Sequence, residues 1–403
     1  MQLSKKALAI APSLTLKISA MSAEMKKNGI DVIGFGAGEP DFDTPQYIKD
    51  AAIEALEKGM TKYTAASGSN ELKQAVCERY QKKYGLTYEP SNIVISNGAK
   101  HSLFNACQAI LNPGDEVIII APYWVTYPEL VKMADGVPVI VEAVEREAKE
   151  EDDFQPNIER IRRAITSKTK AIIINSPSNP CGCVYEKERL EKLAALAKEF
   201  DLYIISDEIY DELVYDRYQA YSIASFGEDA KERTIVVNGV SKAYSMTGWR
   251  IGYTLSNEKI AKVMGSYQSH ATSNPCSIAQ YASVAALTGP QDEKKKMLEA
   301  FAKRRILMAD AINAIDGLSC LVPEGAFYIM MNIRQLLGKK SNGREIKGSM
   351  DFCEYILEQN KVALIPGIAF GADHHVRLSY ATSEENIIEG IKRIGEFVAT
   401  LTD

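Results

Sequence analysis

Residues 170–207 read KAIIINSPSNPCGCVYEKERLEKLAALAKEFDLYIISD, and this stretch decides the fold. It holds two strand-sized apolar runs, KAIIIN and LYIISD, on either side of a helix-length segment. Continuous apolar strands joined by helices are typical of a mostly parallel sheet that is covered by helices on both faces. The stretch therefore predicts one strand–helix–strand unit of an α/β fold.

The same alternation extends over about residues 90–255. Further strand-sized runs are NIVIS, EVIII, VPVIVEA, TIVVNG and RIGYTL, which bring the predicted sheet to seven strands. RIGYTL follows TIVVNG after a connection too short for a helical crossover, so we expect it to be the antiparallel member. We interpret EREAKEEDDFQP at 145–156 as a solvated connection. These features predict a large α/β domain over residues 45–288.

The pattern changes near residue 289. A long charged helix is predicted over PQDEKKKMLEAFAKRRILMADAINAI, followed by shorter strands at AFYIMMNI, KVALIPG and HHVRLSY and by two more helices. The last helix is predicted to open on Thr382, because Glu385 stands three positions later as in a capping box. We therefore expect a smaller α+β domain over residues 289–403, with an N-terminal arm over residues 1–44 packing partly against it.

Composition and charge exclude several classes of function. The 403 residues carry a formal charge of −6, which leaves no basic surface of the kind that binds nucleic acid. The longest apolar runs are strand-sized, so no membrane span is predicted. The seven cysteines are scattered and odd in number, which is typical of reduced thiols in a cytoplasmic protein.

No metal site is predicted either. Cys181 and Cys183 lack CxxC spacing and have no second pair, and the adjacent His374 and His375 would point to opposite sides of a strand. Small molecules or another protein chain are the expected partners.

Polar residues follow three of the predicted strands. They are the segments Ser96–Lys100, Asp207–Tyr210 and Ser241–Lys242. In open α/β sheets, ligands bind beyond the carboxyl ends of the strands, so we expect these segments to meet in one crevice. Gly98, Ala99 and Lys100 open a helix, whose first N–H groups favour an anion. Taken singly, each feature is also explained by packing, by a helix cap or by an exposed lysine.

Together the three segments fit one cofactor. A lysine can form an imine, an acid can keep a ring nitrogen protonated, and an anion site can hold a phosphate, which is the set that pyridoxal phosphate needs. A competing motif, GFGAG at 34–38, superficially resembles a dinucleotide fingerprint. Its spacing is GxGxG and Glu39-Pro40 prevents a helix from starting there, so a nicotinamide site is not favoured.

Eight blocks carry a resemblance to a known family. They are GAGEPDFDTP at 36–45, KYTAASGSNELK at 62–73, SNGAKHSLFNACQAILNPGDEV at 96–117, PYWVTYPE at 122–129, NSPSNPCGCVY at 175–185, SDEIYDELVY at 206–215, SKAYSMTGWRIGY at 241–253 and VRLSYA at 376–381. In this order they resemble the class I aminotransferases of fold type I, and most closely the bacterial-type aspartate aminotransferase subgroup. The resemblance covers nearly the whole chain and implies a pyridoxal-phosphate enzyme with a seven-stranded large domain and a smaller α+β domain.

The resemblance also implies roles for individual residues. Lys242 would form the imine with the cofactor and shuttle the proton, and Asp207 would pair with the pyridine nitrogen. Tyr210 and Asn179 would hydrogen-bond the ring hydroxyl oxygen, and Trp124 would stack on the ring, where an ordinary core or interface tryptophan is the alternative.

The phosphate and the substrate carboxylate would have separate sites. The family pattern places the phosphate against a cradle of residues that opens at Gly98 and comprises Ala99, Lys100, Ser241 and Arg250. Tyr63 would come from a neighbouring subunit, which implies a homodimer with shared active sites. Arg377 would bind the α-carboxylate as a bidentate pair. Asn179 would assist Arg377, and Gly38 would help to close the pocket.

The amino-acid substrate is less strongly indicated than the chemistry. No second-arginine motif is present, so Lys100, assisted by Ser13, is the candidate for binding the side-chain carboxylate of aspartate. If Lys100 only lines the phosphate site, a broader aminotransferase acting on aromatic amino acids, alanine or kynurenine is the alternative. A carbon–sulfur lyase or a regulatory ligand sensor on the same fold is less favoured. The block that usually reads NPTG reads NPCG here, and the resemblance implies a cis peptide at Asn179-Pro180.

Overall fold

The computed structural model describes residues 2–12, 14–143 and 153–403. Its α-helices are α1 Lys5–Leu8, α2 Leu14–Lys27, α3 Gln46–Glu57, α4 Asn70–Tyr84, α5 Ala99–Ile110, α6 Tyr127–Met133, α7 Ile158–Ala164, α8 Lys187–Glu199, α9 Glu228–Arg233, α10 Glu258–Ala271, α11 Ser277–Thr288, α12 Asp292–Asn313, α13 Ser349–Asn360 and α14 Glu384–Ala399. Its strands are β1 Ile33–Gly34, β2 Ile93–Ser96, β3 Glu116–Ala121, β4 Val137–Glu142, β5 Thr169–Asn175, β6 Tyr203–Asp207, β7 Thr234–Gly239, β8 Gly252–Leu255, β9 Tyr328–Asn332, β10 Lys340–Ser341, β11 Arg344–Glu345, β12 Val362–Ala363, β13 Ile365–Pro366 and β14 His375–Ser379.

A seven-stranded sheet forms the centre of the larger part of the chain. Its order is β2-β8-β7-β6-β5-β3-β4. β8 runs antiparallel to β2 and β7, whereas the other neighbouring strands are parallel. The predicted α/β class, the seven strands and the antiparallel position of RIGYTL are therefore confirmed.

Helices cover both faces of this sheet. Val117 and Ile119 of β3 lie in one buried cluster with residues of α5, α6 and α10, whereas Ile118 and Ile120 lie in another with residues of α7 and α8. Successive side chains of a strand point to opposite faces. A continuous apolar run is therefore what a doubly covered strand requires, and this is why EVIII shows no polar alternation.

A smaller sheet lies in the C-terminal part of the chain. It is antiparallel, with the order β13-β14-β9. β1 pairs in parallel with β12 at Ile33–Val362 and Gly34–Ala363. We propose the division into residues 1–44, 45–288 and 289–403, and this pairing supports the packing of the N-terminal arm with the C-terminal unit.

Two details of the sequence-based prediction are wrong. α14 is capped by Ser383, whose Oγ accepts a hydrogen bond from the Asn386 N–H, and not by Thr382. Thr382 Oγ1 instead accepts a hydrogen bond from the Asn386 side chain. Phe154 and Gln155 are buried, although the connection at 145–156 was expected to be solvated. Residues 145–152 of that connection lie outside the described residues.

A buried ion cluster anchors the turn after β6. Arg79 Nη2 of α4 donates to both carboxylate oxygens of Asp211, at 2.8 and 2.7 Å, and to Glu212 Oε1 at 2.9 Å. Lys83 Nζ also contacts Asp211 and Glu212, and Lys294 Nζ of α12 contacts Glu212. Burial alone would raise the pKa of Asp211, but Arg79 and Lys83 hold that pKa below its ordinary value. The turn is therefore held to α4 and α12 by ionised groups.

Replacing Arg79 by methionine should destabilise the protein strongly, because it leaves buried carboxylates without their main partner. We expect the free energy of unfolding to fall by about 3 kcal/mol, as measured by urea denaturation of the cofactor-free protein. Arg162→Met is the matched control, since the Arg162–Glu199 pair is exposed and should contribute little. Equal losses in the two variants would contradict this account of the cluster.

Candidate active site

A cavity of about 310 Å³ lies beyond the carboxyl ends of the central strands. Most of the predicted site residues line it. They are Gly38, Ala99, Lys100, Trp124, Asn179, Asp207, Tyr210, Ser241, Lys242, Arg250 and Arg377. The predicted convergence of the three strand-end segments in one crevice therefore occurs.

Asp207 ends β6 and is buried in the cavity wall. Its Oδ2 accepts a hydrogen bond from the Tyr127 hydroxyl at 2.7 Å, and its Oδ1 accepts one from the Ile209 N–H at 3.2 Å. Burial raises the pKa of Asp207 to about 6, while these two hydrogen bonds and Lys242 limit the rise. The carboxyl group can therefore be ionised at neutral pH and is suited to face a cationic group.

Lys242 follows β7 and points into the same cavity. It is half-buried, and its Nζ donates a hydrogen bond to the carbonyl of Gly38. The pKa of Lys242 is lowered to about 8, mainly by burial and also by Arg250 and Arg377, against the opposing effects of Glu39 and Asp207. An amine with this pKa is partly neutral near pH 7, which is the form that attacks a carbonyl carbon or accepts a proton.

An anion-binding end lies at the start of α5. Gly98 precedes the helix with φ 86°, and no side chain caps it, so the first-turn N–H groups face the cavity end. A Cβ atom at Gly98 would lie 2.4 Å from Arg250 Nη2, so only glycine allows the guanidinium this close. Arg250 donates to the carbonyls of Thr247 and Asn97 at 2.9 and 3.3 Å. A helix N-terminus and a fixed arginine together suit a phosphate group.

Arg377 of β14 is a buried cation that also lines the cavity. Its Nη1 donates to Asn179 Oδ1 at 3.0 Å, and its Nη2 donates to the Gly36 carbonyl at 2.9 Å. Within the described residues no carboxylate pairs with it, and its Nε has no hydrogen-bond partner. Burial lowers the pKa of Arg377, because the site is poor in water. A buried guanidinium of this kind is suited to a ligand carboxylate.

Aromatic side chains complete the walls, and two of them were not singled out from the sequence. Tyr328 lies under Arg377, whose guanidinium carbon is 4.6 Å from the ring centroid, and its hydroxyl is 2.9 Å from that of Tyr210. Tyr127 packs edge-on against Trp124 at 5.4 Å. In the sequence, Tyr127 is marked only by its place in PYWVTYPE, and Tyr328 only by its place in AFYIMMNI.

Among the described residues, Gly98 and Tyr63 are the predicted site residues that do not line this cavity. Tyr63 is 90% exposed and does not line it. Ser13 lies outside the described residues. Thr15, which the sequence reasoning missed, does line the cavity.

The loop after β5 holds Asn179 in place. Asn175 Oδ1 accepts a hydrogen bond from the Asn179 N–H at 2.8 Å, and the Asn179-Pro180 peptide is cis, as the resemblance implied. Cys181, the departure from the family block, is buried. It does not line the cavity.

The part of the chain that the structure describes contains neither a metal-ligand cluster nor a membrane-spanning helix. No group of three or more histidine, cysteine, aspartate or glutamate side chains there could hold a metal ion. In that same part of the chain, no helix combines the length and the apolar character that crossing a membrane requires.

Comparisons with known proteins agree with this geometry. The family model described as "Aminotransferase class I and II" matches residues 30–394. The aspartate aminotransferase of Bacillus subtilis (strain 168) is 48% identical over 398 residues, which cover 99% of each protein. The crystal structure of the aspartate aminotransferase from Rhizobium meliloti superposes with a TM-score of 0.95 at 44% identity and covers 100% of both chains.

A second solved structure, the aspartate aminotransferase from Thermus thermophilus with maleate, has a TM-score of 0.91 at 42% identity. It covers 98% of this chain and 100% of its own. The family match spans most of the sequence, and the first relative is similar from end to end. The chain therefore belongs to the class I and II aminotransferases and is a transferase of amino groups.

Proposed function

We propose that this aminotransferase uses pyridoxal 5′-phosphate to transfer the amino group of L-aspartate to 2-oxoglutarate, giving oxaloacetate and L-glutamate. The observation that carries the proposal is the buried Arg377, which has no carboxylate partner in the described residues, in one cavity with Lys242 and Asp207. The similar proteins named above are aspartate aminotransferases, which supports the same activity here.

The residues present fit the cofactor. Gly98 leaves room for Arg250 beside the N-terminus of α5, where the backbone groups of Ala99 and Lys100 would contact the phosphate together with Ser241. The buried carboxylate of Asp207 would face the ring nitrogen, since a buried acid is stabilised by an opposite charge. When bound, pyridoxal phosphate supplies an aldehyde that takes up an amino group and a cationic ring that withdraws electrons from the substrate Cα.

The remaining chemistry belongs to the chain. Lys242 Nζ removes the proton from the substrate Cα, because its lowered pKa leaves a neutral amine available near pH 7. Tyr210 and Asn179 would hydrogen-bond the ring oxygen, and Trp124 would stack on the ring, and their place in the cavity lining supports these roles. Arg377 orients the substrate through its α-carboxylate, and Gly38 accepts the Lys242 hydrogen bond that substrate entry would displace. The two half-reactions follow a ping-pong order.

Lys100 is the proposed site for the side-chain carboxylate of aspartate. It is exposed at the cavity, and its Nζ lies 5.0 Å from the centroid of the Trp124 ring. Partial burial and the nearby charge of Arg250 lower the pKa of Lys100. Thr15 lines the same cavity, and Ser13 is kept as a second candidate. Maleate, a dicarboxylate, is bound in the similar Thermus thermophilus structure, which supports an acidic substrate.

A homodimer would complete the site. Tyr63 is exposed on a single chain, so it can reach the phosphate only in a partner's cavity. Ile53, Leu56 and Met60, which precede it, also expose much of their apolar side chains and support a contact with a second copy. All seven cysteines are free thiols, which supports the cytoplasmic location that we propose.

Single-turnover spectroscopy tests the half-reaction. L-Aspartate added without an acceptor should remove the long-wavelength absorbance of the bound cofactor, and 2-oxoglutarate should restore it. Lys242→Ala should slow this change by about 10³-fold or more, because the proton acceptor is lost, whereas Lys49→Ala outside the cavity should not. An unchanged rate in Lys242→Ala would refute the assignment. Pyruvate formed from cystathionine without any acceptor would instead identify a carbon–sulfur lyase.

Kinetics with two amino acids can distinguish the proposed role of Lys100 from that of Arg377. Lys100→Met should raise KM for aspartate by about tenfold or more and leave tyrosine unaffected, because only a dicarboxylate loses a charged partner. Arg377→Lys should weaken the binding of both aspartate and tyrosine, since each carries an α-carboxylate. Steady-state kinetics with cofactor saturation checked by absorbance would measure this. Equal effects of Lys100→Met on both amino acids would favour the broader aminotransferase.

The lowered pKa of Lys242 predicts its reactivity. Below pH 8 the amine is mostly protonated, and above pH 8 it is mostly neutral, so its modification by trinitrobenzenesulfonate in the cofactor-free protein should rise to a plateau with a midpoint near pH 8. Peptide mapping would identify the modified lysine, and the fast phase should be missing in Lys242→Ala. A midpoint near the ordinary lysine value of about 10.4 would contradict the desolvation of Lys242.

A further inference from the structure

Tyr127 lines the cavity, and contact with a substrate does not explain its place there. It is the first residue of α6, it is 2% exposed, and its hydroxyl donates to Asp207 Oδ2 at 2.7 Å. Its ring lies edge-on to Trp124. Tyr127 therefore connects the acid that would face the ring nitrogen with the indole that would cover the ring.

The hydrogen bonds of the Asp207 carboxylate show why this contact matters. Among the described side chains, Tyr127 is the one that donates to it, and the Ile209 N–H makes a longer bond to the other oxygen. The Asn175 side chain donates to the backbone carbonyl of Asp207 and not to the carboxylate. Burial and the nearby Asp207 raise the pKa of Tyr127 well above its ordinary value, so the hydroxyl stays a donor at neutral pH.

We propose that Tyr127 is a positioning residue that keeps Asp207 ionised and oriented toward the ring nitrogen of the cofactor. A hydrogen bond from a neutral donor stabilises a carboxylate and does not stabilise a carboxylic acid in the same way. Tyr127 thus acts through Asp207 and not on the substrate. This inference rests on the proposed binding of pyridoxal phosphate.

The experiment compares Tyr127→Phe with a matched tyrosine. Tyr88 is also buried, and its hydroxyl has no hydrogen-bond partner within the described residues, so Tyr88→Phe removes an equivalent atom away from the cavity. The probe is pyridoxamine phosphate, which has no aldehyde and therefore binds without a covalent bond to Lys242. A second probe is its 1-deaza analogue, in which C–H replaces the ring nitrogen.

Tyr127→Phe should lower the affinity for pyridoxamine phosphate by about tenfold, as measured by calorimetric or fluorescence titration. The reason is that the Asp207 carboxylate, which would face the ring nitrogen, loses a hydrogen-bond donor. The substitution should leave the affinity for the 1-deaza analogue unchanged, since that ring offers Asp207 no partner. Tyr88→Phe should alter neither affinity. A loss from disturbed packing would affect both probes equally, so the pair of probes separates positioning from structure.

The pH dependence gives a second readout. The titratable groups that face Asp207 are Tyr127, Tyr210 and Lys242, and Tyr185 and Tyr210 also face Tyr127. Loss of the Tyr127 hydrogen bond removes a contact that lowers the pKa of Asp207, so the acid becomes protonated at a higher pH. As pH falls, the affinity of Tyr127→Phe for pyridoxamine phosphate should therefore decline at a higher pH than that of the wild type.

The outcomes separate this inference from the function on which it rests. If the wild type binds neither pyridoxal phosphate nor pyridoxamine phosphate, the proposed function fails. If the wild type binds both and Tyr127→Phe keeps the wild-type affinity and pH profile, or loses equal affinity for the two probes, the positioning role is overturned. Selective loss with the nitrogen-containing probe supports it.

Discussion

The structure depends on one electrostatic constraint, which is that Asp207, Lys242 and Arg377 share a single water-poor cavity. None of the three forms a salt bridge with another described residue. Burial moves their pKa values in the directions expected for charges that lose hydration, to about 6 for Asp207 and about 8 for Lys242. Ionised groups in such a place are stable only when a ligand supplies the missing partners. The cavity therefore suits a ligand that carries both anionic groups and a cationic group.

The turn after β6 shows how the fold meets this constraint. Asp207 and Tyr210 line the cavity, whereas Asp211 and Glu212 pair with Arg79 and Lys83 of α4. The carboxylates of Asp211 and Glu212 therefore have cationic partners within the chain, whereas the carboxylate of Asp207 on the cavity side has none among the described residues. The ion pairs of Asp211 and Glu212 fix the turn that carries Asp207 and Tyr210, and a fixed turn is what a preorganised site requires.

The pattern of the sequence was informative where structure is local. Local sequence patterns predict the strand-sized apolar runs, the short connection before RIGYTL and the polar residues at strand ends. Each of these features lies where it was predicted. Local rules were weaker at boundaries, since Thr382 and Ser383 are both good caps and only the geometry of Asn386 selects Ser383. Phe154 and Gln155 stand in a charged stretch, yet tertiary contacts bury them.

The sequence by itself determined the α/β class, the strands and the residue types that meet in the cavity, because hydrophobic period and motif spacing are properties of neighbouring residues. Only the tertiary structure decided which side chains contact and support the residues of the cavity. Tyr127 reaches Asp207 across 80 positions, Tyr328 reaches Tyr210 across 118, and Arg377 reaches Asn179 across 198. The desolvation that sets the pKa values of Asp207 and Lys242 likewise comes from all the elements packed around the cavity, and no local pattern encodes it.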